Sequence, residues 1–176
     1  GVGGSTIPEM LHFGDELIFK YEPELIVVYN GENDLWQDQI SVDMLQEAFI
    51  AFADALEEKL PDAQMLYISM KPSPSRKEKW EKMQRGNQTI KKLIDQNEDF
   101  HFLDISSTLL DANGNADPSL FVEDMLHMNE QGYANWTKVV KPKLFELFNT
   151  DKLDYDILYG DFFEAVQMGR VYPDTK

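Results

Sequence analysis

An aspartate and a histidine stand three residues apart in the stretch Asp124-Met125-Leu126-His127. A carboxylate at this spacing can hold an imidazole in one tautomer and stabilise its protonated form, which is the orienting role in a hydrolytic triad. The same pattern also occurs as a surface ion pair or as a helix cap. The pair therefore suggests acid-base chemistry without establishing it.

Two further stretches carry groups that could stabilise negative charge. Asn30-Gly31-Glu32-Asn33-Asp34 directly follows an apolar run, and the Asn33 amide can aim an N–H at a developing negative charge. Gly3-Gly4-Ser5-Thr6 precedes a predicted helix, where free backbone N–H groups suit an anion or an oxyanion. The alternatives are a polar turn in the first stretch and a plain helix start in the second.

The elements that would position these groups alternate between helix and strand. Helical spacing, with a capping box at Thr6 and Glu9, predicts helices over residues 7–19, 41–60, 76–95 and 130–148. Apolar runs predict strands over residues 25–29, 65–70 and 100–105, and we expect the first to be buried on both faces. This alternation predicts an α/β fold with a parallel sheet, in which chemistry lies in loops at the carboxyl ends of the strands.

The three polar stretches, in this order, resemble the conserved blocks of the SGNH (GDSL-like) hydrolase family, in its bacterial lipase and acylhydrolase branch. The opening G-V-G-G-S-T looks like the second block, which implies that Gly4 supplies an oxyanion-hole N–H. The stretch G-E-N-D looks like the third block, which implies that the Asn33 side chain also donates to the oxyanion. The stretch D-M-L-H looks like the fifth block and implies Asp124 as orienting acid and His127 as general base.

The resemblance covers about residues 1–148 and implies a three-layer α/β/α sandwich of flavodoxin-like type with a parallel sheet. It also implies a carboxylic-ester hydrolase that uses a Ser-His-Asp mechanism on small-molecule acyl or acetyl esters, with no metal or organic cofactor. Two alternatives on the same fold stay open. One is a catalytically inactive protein that binds acyl groups or acetylated sugars, and the other is an assembly module.

The serine nucleophile that the resemblance to this family implies has no counterpart in these 176 residues. The family's first block, a strand ending in G-D-S, should precede Gly1, so we expect the N-terminal strands of the fold to lie outside this sequence and the chain alone to be inactive. Ser5, next to the candidate oxyanion glycine, is the serine considered as a replacement nucleophile. Its alternative role is to begin the first helix.

The resemblance divides the chain into a hydrolase domain over residues 1–148 and a C-terminal extension over residues 149–176, which we expect to dock on that domain. Without the N-terminal strands, the strand at 25–29 should expose one edge and an apolar flank. Residues 149–176, a second copy of the chain in a homo-oligomer, or a longer natural protein would each cover that edge. We favour the longer protein.

Composition and charge argue against several classes of partner and exclude several kinds of site. Sixteen Lys and Arg against 32 Asp and Glu give a net charge of −16, which argues against nucleic acid or an anionic membrane as partner. The chain has no cysteine, so disulfides, thiolate zinc sites and cysteine nucleophiles are excluded. No apolar run approaches the ~18 residues of a membrane-spanning helix. The sequence does not indicate a cellular compartment.

Overall fold

A computed structural model describes residues 3–148; Gly1, Val2 and residues 149–176, including the predicted docked extension, lie outside the described residues. The helices are α1 (Ile7–His12), α2 (Gly14–Leu17), α3 (Glu32–Trp36), α4 (Val42–Lys59), α5 (Trp80–Ile94) and α6 (Glu130–Phe148). The strands are β1 (Leu25–Val28), β2 (Gln64–Ile68) and β3 (Phe100–Leu103). Within residues 3–148, no helix is both long enough and apolar enough to cross a membrane.

The three strands form one parallel sheet in the order β1-β2-β3. The register pairs Val28 of β1 with Tyr67 of β2, and Ile68 of β2 with Leu103 of β3. The α/β class with a parallel sheet is therefore confirmed. Because all three strands run in the same direction, their carboxyl ends lie at the same end of the sheet, and the loops that follow them lie close together.

Helices cover both faces of the sheet, as in a three-layer sandwich. On one face, side chains such as Phe49 and Phe52 of α4 and Ile90 of α5 form a core with Met65 and Tyr67 of β2. On the other face, Tyr133, Trp136 and Val139 of α6 pack against a second core that contains Ile68, Ile105 and Leu109. Burial of apolar side chains on both faces of β2 is the main stabilising contribution to this arrangement.

The prediction that the first strand is buried on both faces is wrong. Val27 is 46% exposed and Tyr29, which follows β1, is 39% exposed. The core beneath α6 is built on β2, β3 and the segments after them, so it leaves Val27 uncovered. Within the described residues β1 is thus an edge strand with an apolar flank, as expected for a strand at 25–29 without further strands beside it.

Helix boundaries differ from the predictions in two places. The first predicted helix begins at the expected capping box of Thr6 and Glu9 but is interrupted at Phe13, so α1 and α2 replace one helix. The third begins at Trp80, because residues 74–79 form a 3₁₀ turn that starts at Pro74. Pro142 lies inside α6 without ending it.

Candidate functional site

The chain leaves β1 through a tight turn that sets the position of α3. Gly31 adopts φ 98°, a left-handed conformation that favours glycine. The Tyr67 hydroxyl donates to the Asn30 carbonyl at 2.6 Å, and the Gly31 N–H donates to the Asn30 side chain at 2.8 Å. Helix α3 therefore starts immediately after the strand, with Asn33 in its first turn at the carboxyl end of the sheet.

Contacts between α3 and the N-terminal stretch bring together the two predicted oxyanion groups. The Asn33 Nδ2 donates to the Ser5 carbonyl at 3.1 Å, and the Ile7 N–H donates to the Asp34 carboxylate at 3.1 and 3.3 Å. Burial raises the pKa of Asp34, and the Ile7 N–H opposes that shift. Gly4, at φ 79°, is exposed and directly precedes Ser5. Asn33 is therefore hydrogen-bonded to the residue that directly follows Gly4.

The predicted acid and base form a close pair. His127 Nδ1 lies 2.5 Å from one Asp124 oxygen, while the other Asp124 oxygen accepts the backbone N–H groups of Leu126 and His127 at 2.8 and 2.9 Å. These hydrogen bonds, that of the His127 side chain first, hold the pKa of Asp124 well below its ordinary value. The His127 side chain is 69% exposed, so its Nε2 is accessible to a reacting group.

A buried ionic cluster that the sequence analysis did not predict lies beneath Asn33. Glu32 is only 6% exposed, and its carboxylate accepts hydrogen bonds from Tyr29 Oη at 2.5 Å, Lys71 Nζ at 3.0 and 3.1 Å and Arg76 Nη1 at 3.2 Å. Desolvation of the Tyr29 hydroxyl beside the buried Glu32 carboxylate, and then the Glu32 charge, raise the pKa of that hydroxyl well above its ordinary value. Burial lowers the pKa of Lys71, and Glu32 opposes that shift. The carboxylate is thus fully satisfied by donors.

Arg76 extends this cluster to the candidate site. Its Nη2 donates to Asn33 Oδ1 at 3.0 Å, and its guanidinium carbon lies 5.2 Å from the centre of the Trp36 ring. The neighbouring Ser75 N–H donates to the Met125 carbonyl at 3.0 Å, in the loop that carries the acid-base pair. The loop after β2 therefore contacts both the predicted oxyanion element and the predicted base loop, and it holds them at the same end of the sheet.

One signal in the sequence could have revealed the ionic cluster. Val28 of β1 and Tyr67 of β2 are partners in the parallel register. Glu32 stands four residues after Val28, and Lys71 stands four residues after Tyr67. Opposite charges at matching positions beyond paired strands are expected to meet. The contacts of Arg76 could not be predicted in this way, because they depend on a 3₁₀ turn over residues 74–79. The sequence pattern predicted a helix from residue 76 instead.

The serines of the described chain are not arranged as a nucleophile for His127. Ser69 and Ser106 both hydrogen-bond to Asp104, and Ser5 is held through its carbonyl by Asn33. In residues 3–148 no serine hydroxyl hydrogen-bonds to the His127 ring. Over the same range, no three His, Asp or Glu side chains converge as a metal site would require.

Solved structures of several proteins named as lipases or esterases share this fold. A GDSL-like lipase from Bacteroides thetaiotaomicron VPI-5482 superposes with a TM-score of 0.71 at 19% identity, over 83% of this chain and 74% of that one. A carbohydrate esterase family 3 protein from Talaromyces cellulolyticus gives 0.67 at 16% identity, over 83% and 69% of the two chains. An acetylxylan esterase from Geobacillus stearothermophilus, crystallised as a catalytic mutant, gives 0.67 at 11% identity, over 84% and 69%.

At these identities the structural likeness establishes the fold, that of SGNH-type hydrolases, and the family rests on the sequence. A search of curated proteins found no match. The model of the GDSL-like lipase/acylhydrolase family matches residues 1–134, a span that contains Gly4, Asn33, Asp124 and His127. The chain belongs to the GDSL-like lipase/acylhydrolase family.

Proposed function

We propose that the chain carries the oxyanion groups and the acid-base pair of a carboxylic-ester hydrolase. The observation that carries the proposal is the 2.5 Å contact between Asp124 and an exposed His127. The loop that contains this pair is hydrogen-bonded to the turn after β2, and Arg76 of that turn donates to Asn33. An imidazole oriented by a carboxylate acts as a general base, and amide donors stabilise a tetrahedral oxyanion. Acyl transfer needs both functions.

In this proposal, a serine hydroxyl attacks the ester carbonyl while His127 Nε2 accepts its proton. Asp124 holds the ring and stabilises the imidazolium that forms. The Gly4 N–H and the Asn33 Nδ2 donate to the carbonyl oxygen as it becomes negative. His127 then protonates the leaving alcohol, and a water molecule repeats the sequence on the acyl-serine to release the acid.

We further propose that the serine comes from outside this 176-residue sequence, since Ser5 shows no hydrogen bond to His127. The chain alone then keeps only residual activity, because loss of a triad member leaves roughly 10³–10⁴-fold catalysis over water. Labelling with a serine-reactive fluorophosphonate, followed by peptide mass spectrometry, locates the nucleophile. The proposal expects no adduct, whereas an adduct on Ser5 that His127→Ala abolishes would place the nucleophile in this chain.

The substrate class we propose is a small-molecule acyl or acetyl ester. Proteins of the same fold that carry the names acetyl esterase and acetylxylan esterase support this class. No metal or organic cofactor takes part in the proposed steps.

A second candidate is a protein that binds or assembles without turnover. It is favoured by two observations: no described serine hydroxyl hydrogen-bonds to His127, and within residues 3–148 β1 is an edge strand with Val27 46% exposed. An unpaired parallel edge can accept a strand from another chain, which would make a homo-oligomer. Saturable ester binding without hydrolysis, or a stable dimer lost on Val27→Lys, would favour this candidate.

The deciding experiment is p-nitrophenyl acetate hydrolysis by the 176-residue chain and its Asn33→Ala variant. Removing one oxyanion donor costs roughly 10²–10³-fold, so the excess over the buffer rate should nearly vanish. Gln39→Ala is the matched control, since Gln39 is exposed and its side chain hydrogen-bonds only to Gln37 among the described residues. Equal rates for the chain, Asn33→Ala and buffer would reject the hydrolase proposal.

A further inference from the structure

We propose that Arg76 is a positioning residue that fixes the Asn33 amide with its N–H side towards the reacting carbonyl. This inference rests on the proposed function, because it assigns Arg76 a part in the same reaction. The Arg76 guanidinium bridges the two neighbouring side chains of α3, with Nη1 3.2 Å from Glu32 Oε1 and Nη2 3.0 Å from Asn33 Oδ1.

The chemistry of the two partners of Asn33 determines which way its amide points. A guanidinium only donates hydrogen bonds, so the atom that faces Arg76 must be Oδ1. A backbone carbonyl only accepts, so the atom that faces Ser5, at 3.1 Å, must be Nδ2. The two contacts select the same rotamer. Nδ2 has two hydrogens, and the one not donated to Ser5 is the donor available to an oxyanion.

Two partners besides Asn33 hold Arg76 in place. Its Nη1 donates to the Glu32 carboxylate. That carboxylate also accepts hydrogen bonds from Lys71 on both oxygens and from the Tyr29 hydroxyl, so it is fixed in place. The Arg76 guanidinium carbon lies 5.2 Å from the centre of the Trp36 ring, within the range of a cation–π contact. The Arg76 side chain is mostly buried, with 11% of its surface exposed. Such a guanidinium cannot shift without breaking several contacts, so it can keep the amide fixed throughout a reaction.

Loss of Arg76 has a specific chemical consequence. Without Arg76, the hydrogen bond to the Ser5 carbonyl is the contact that still opposes a 180° turn of the Asn33 amide. A turn that breaks this one bond would place Oδ1 where the oxyanion forms. An oxygen in that position repels the developing charge instead of stabilising it. We expect Arg76→Met to slow ester hydrolysis by roughly 10- to 100-fold, in line with the cost of misplacing a group near the chemistry by about 1 Å.

The first test observes the amide directly and does not depend on activity. In ¹⁵N-labelled chain, the two side-chain N–H signals of Asn33 should be well separated, and in Arg76→Met they should shift and move towards each other. Asn87 is the internal control, because its amide bonds only to the backbone of Met70, at 2.9 and 3.0 Å. Asn33 signals that stay unchanged in a folded Arg76→Met would overturn the inference.

A lysine variant guards against a misfolded Arg76→Met. Arg76→Lys keeps the charge, but a single ammonium lacks the fork that spans Glu32 and Asn33. A structural or purely electrostatic role would leave the Asn33 signals and the rate near wild type in Arg76→Lys. The positioning role predicts that both change while the melting temperature changes little.

The second test measures coupling between the two residues through p-nitrophenyl acetate hydrolysis. If Arg76 acts through Asn33, Arg76→Met should lower the rate in the wild-type background and have no further effect in Asn33→Ala. Independent, multiplicative losses would overturn the inference. If the wild-type chain shows no hydrolysis, the proposed function fails and the catalytic part of the inference fails with it, while the amide signals still report whether Arg76 orients Asn33.

Discussion

Replacing Glu32 with glutamine should destabilise the protein strongly, because the carboxylate lies in a buried corner among three donors. Lys71 Nζ lies 3.0 Å from one Glu32 oxygen and 3.1 Å from the other, and Lys71 is itself only 6% exposed. A glutamine supplies one acceptor oxygen and turns an N–H₂ group towards the remaining donors. Both buried cations then lose their counter-charge.

The expected size follows from measured losses at comparable sites. Removing one partner of a buried ion pair costs about 3–5 kcal/mol. For a domain of this length each kcal/mol corresponds to about 2–4 °C, so the melting temperature of Glu32→Gln should fall by roughly 6–20 °C. Differential scanning fluorimetry with a urea titration would measure both quantities.

Asp95→Asn is the matched control for this prediction. Asp95 pairs with Lys91 at 2.6 Å on the surface, where the two side chains are 55% and 52% exposed. An exposed pair of this kind contributes about 0.3–0.5 kcal/mol, so the melting temperature should fall by at most about 2 °C. The double variant Glu32→Gln/Lys71→Met should recover part of the loss. A Glu32→Gln loss no larger than that of Asp95→Asn would refute the reasoning.

Two further predictions concern the site loops. Gly31→Ala should destabilise the fold by about 1–3 kcal/mol through backbone strain. The loss should exceed that of Gly114→Ala, because an added Cβ at Gly31 would lie 3.0 Å from Tyr67 Oη whereas Gly114 has open space. Equal losses of unfolding free energy in urea titrations would contradict the contact argument. The pKa of Asp124 is lowered in the folded state, so its contribution to stability is present above the ordinary value of 3.8 and is lost as the pH falls below it. Asp124→Asn should therefore weaken the decline of the melting temperature in acid, and a decline as steep as in the wild type would show that the pairing with His127 contributes nothing.

Much of the fold followed from local patterns. Alternating apolar runs and helical spacing predicted three strands and the parallel sheet, and the capping box of Thr6 and Glu9 began the first helix where expected. Each strand ended one or two residues earlier than predicted, because the last apolar residue of each run belongs to the turn that leaves the sheet. The prediction that both faces of the first strand are buried is wrong at Val27, since apolar composition alone does not indicate which neighbour covers a strand. The exposed apolar flank itself was expected for this strand without further strands beside it.

The candidate site was predictable where it depended on short motifs and hidden where it depended on distant contacts. Asp124 and His127 are three residues apart, so their pairing can be inferred from the sequence. The contact of Arg76 with Asn33 spans 43 positions and needs a 3₁₀ turn to form. No local pattern encodes such a contact.

The measurement that tests the central claim most directly is the hydrolysis of p-nitrophenyl acetate by the chain and by its His127→Ala variant. His12→Ala is the control, because His12 is likewise an exposed histidine but lies in α1 with only the Phe13 ring as its described partner. Because the serine lies outside this sequence in the proposed function, His127 can act in this chain only by activating water. The proposed function therefore predicts hydrolysis above the buffer rate that His127→Ala lowers and His12→Ala leaves intact. Equal losses in both variants, or none in either, would contradict the assignment of His127 as the general base.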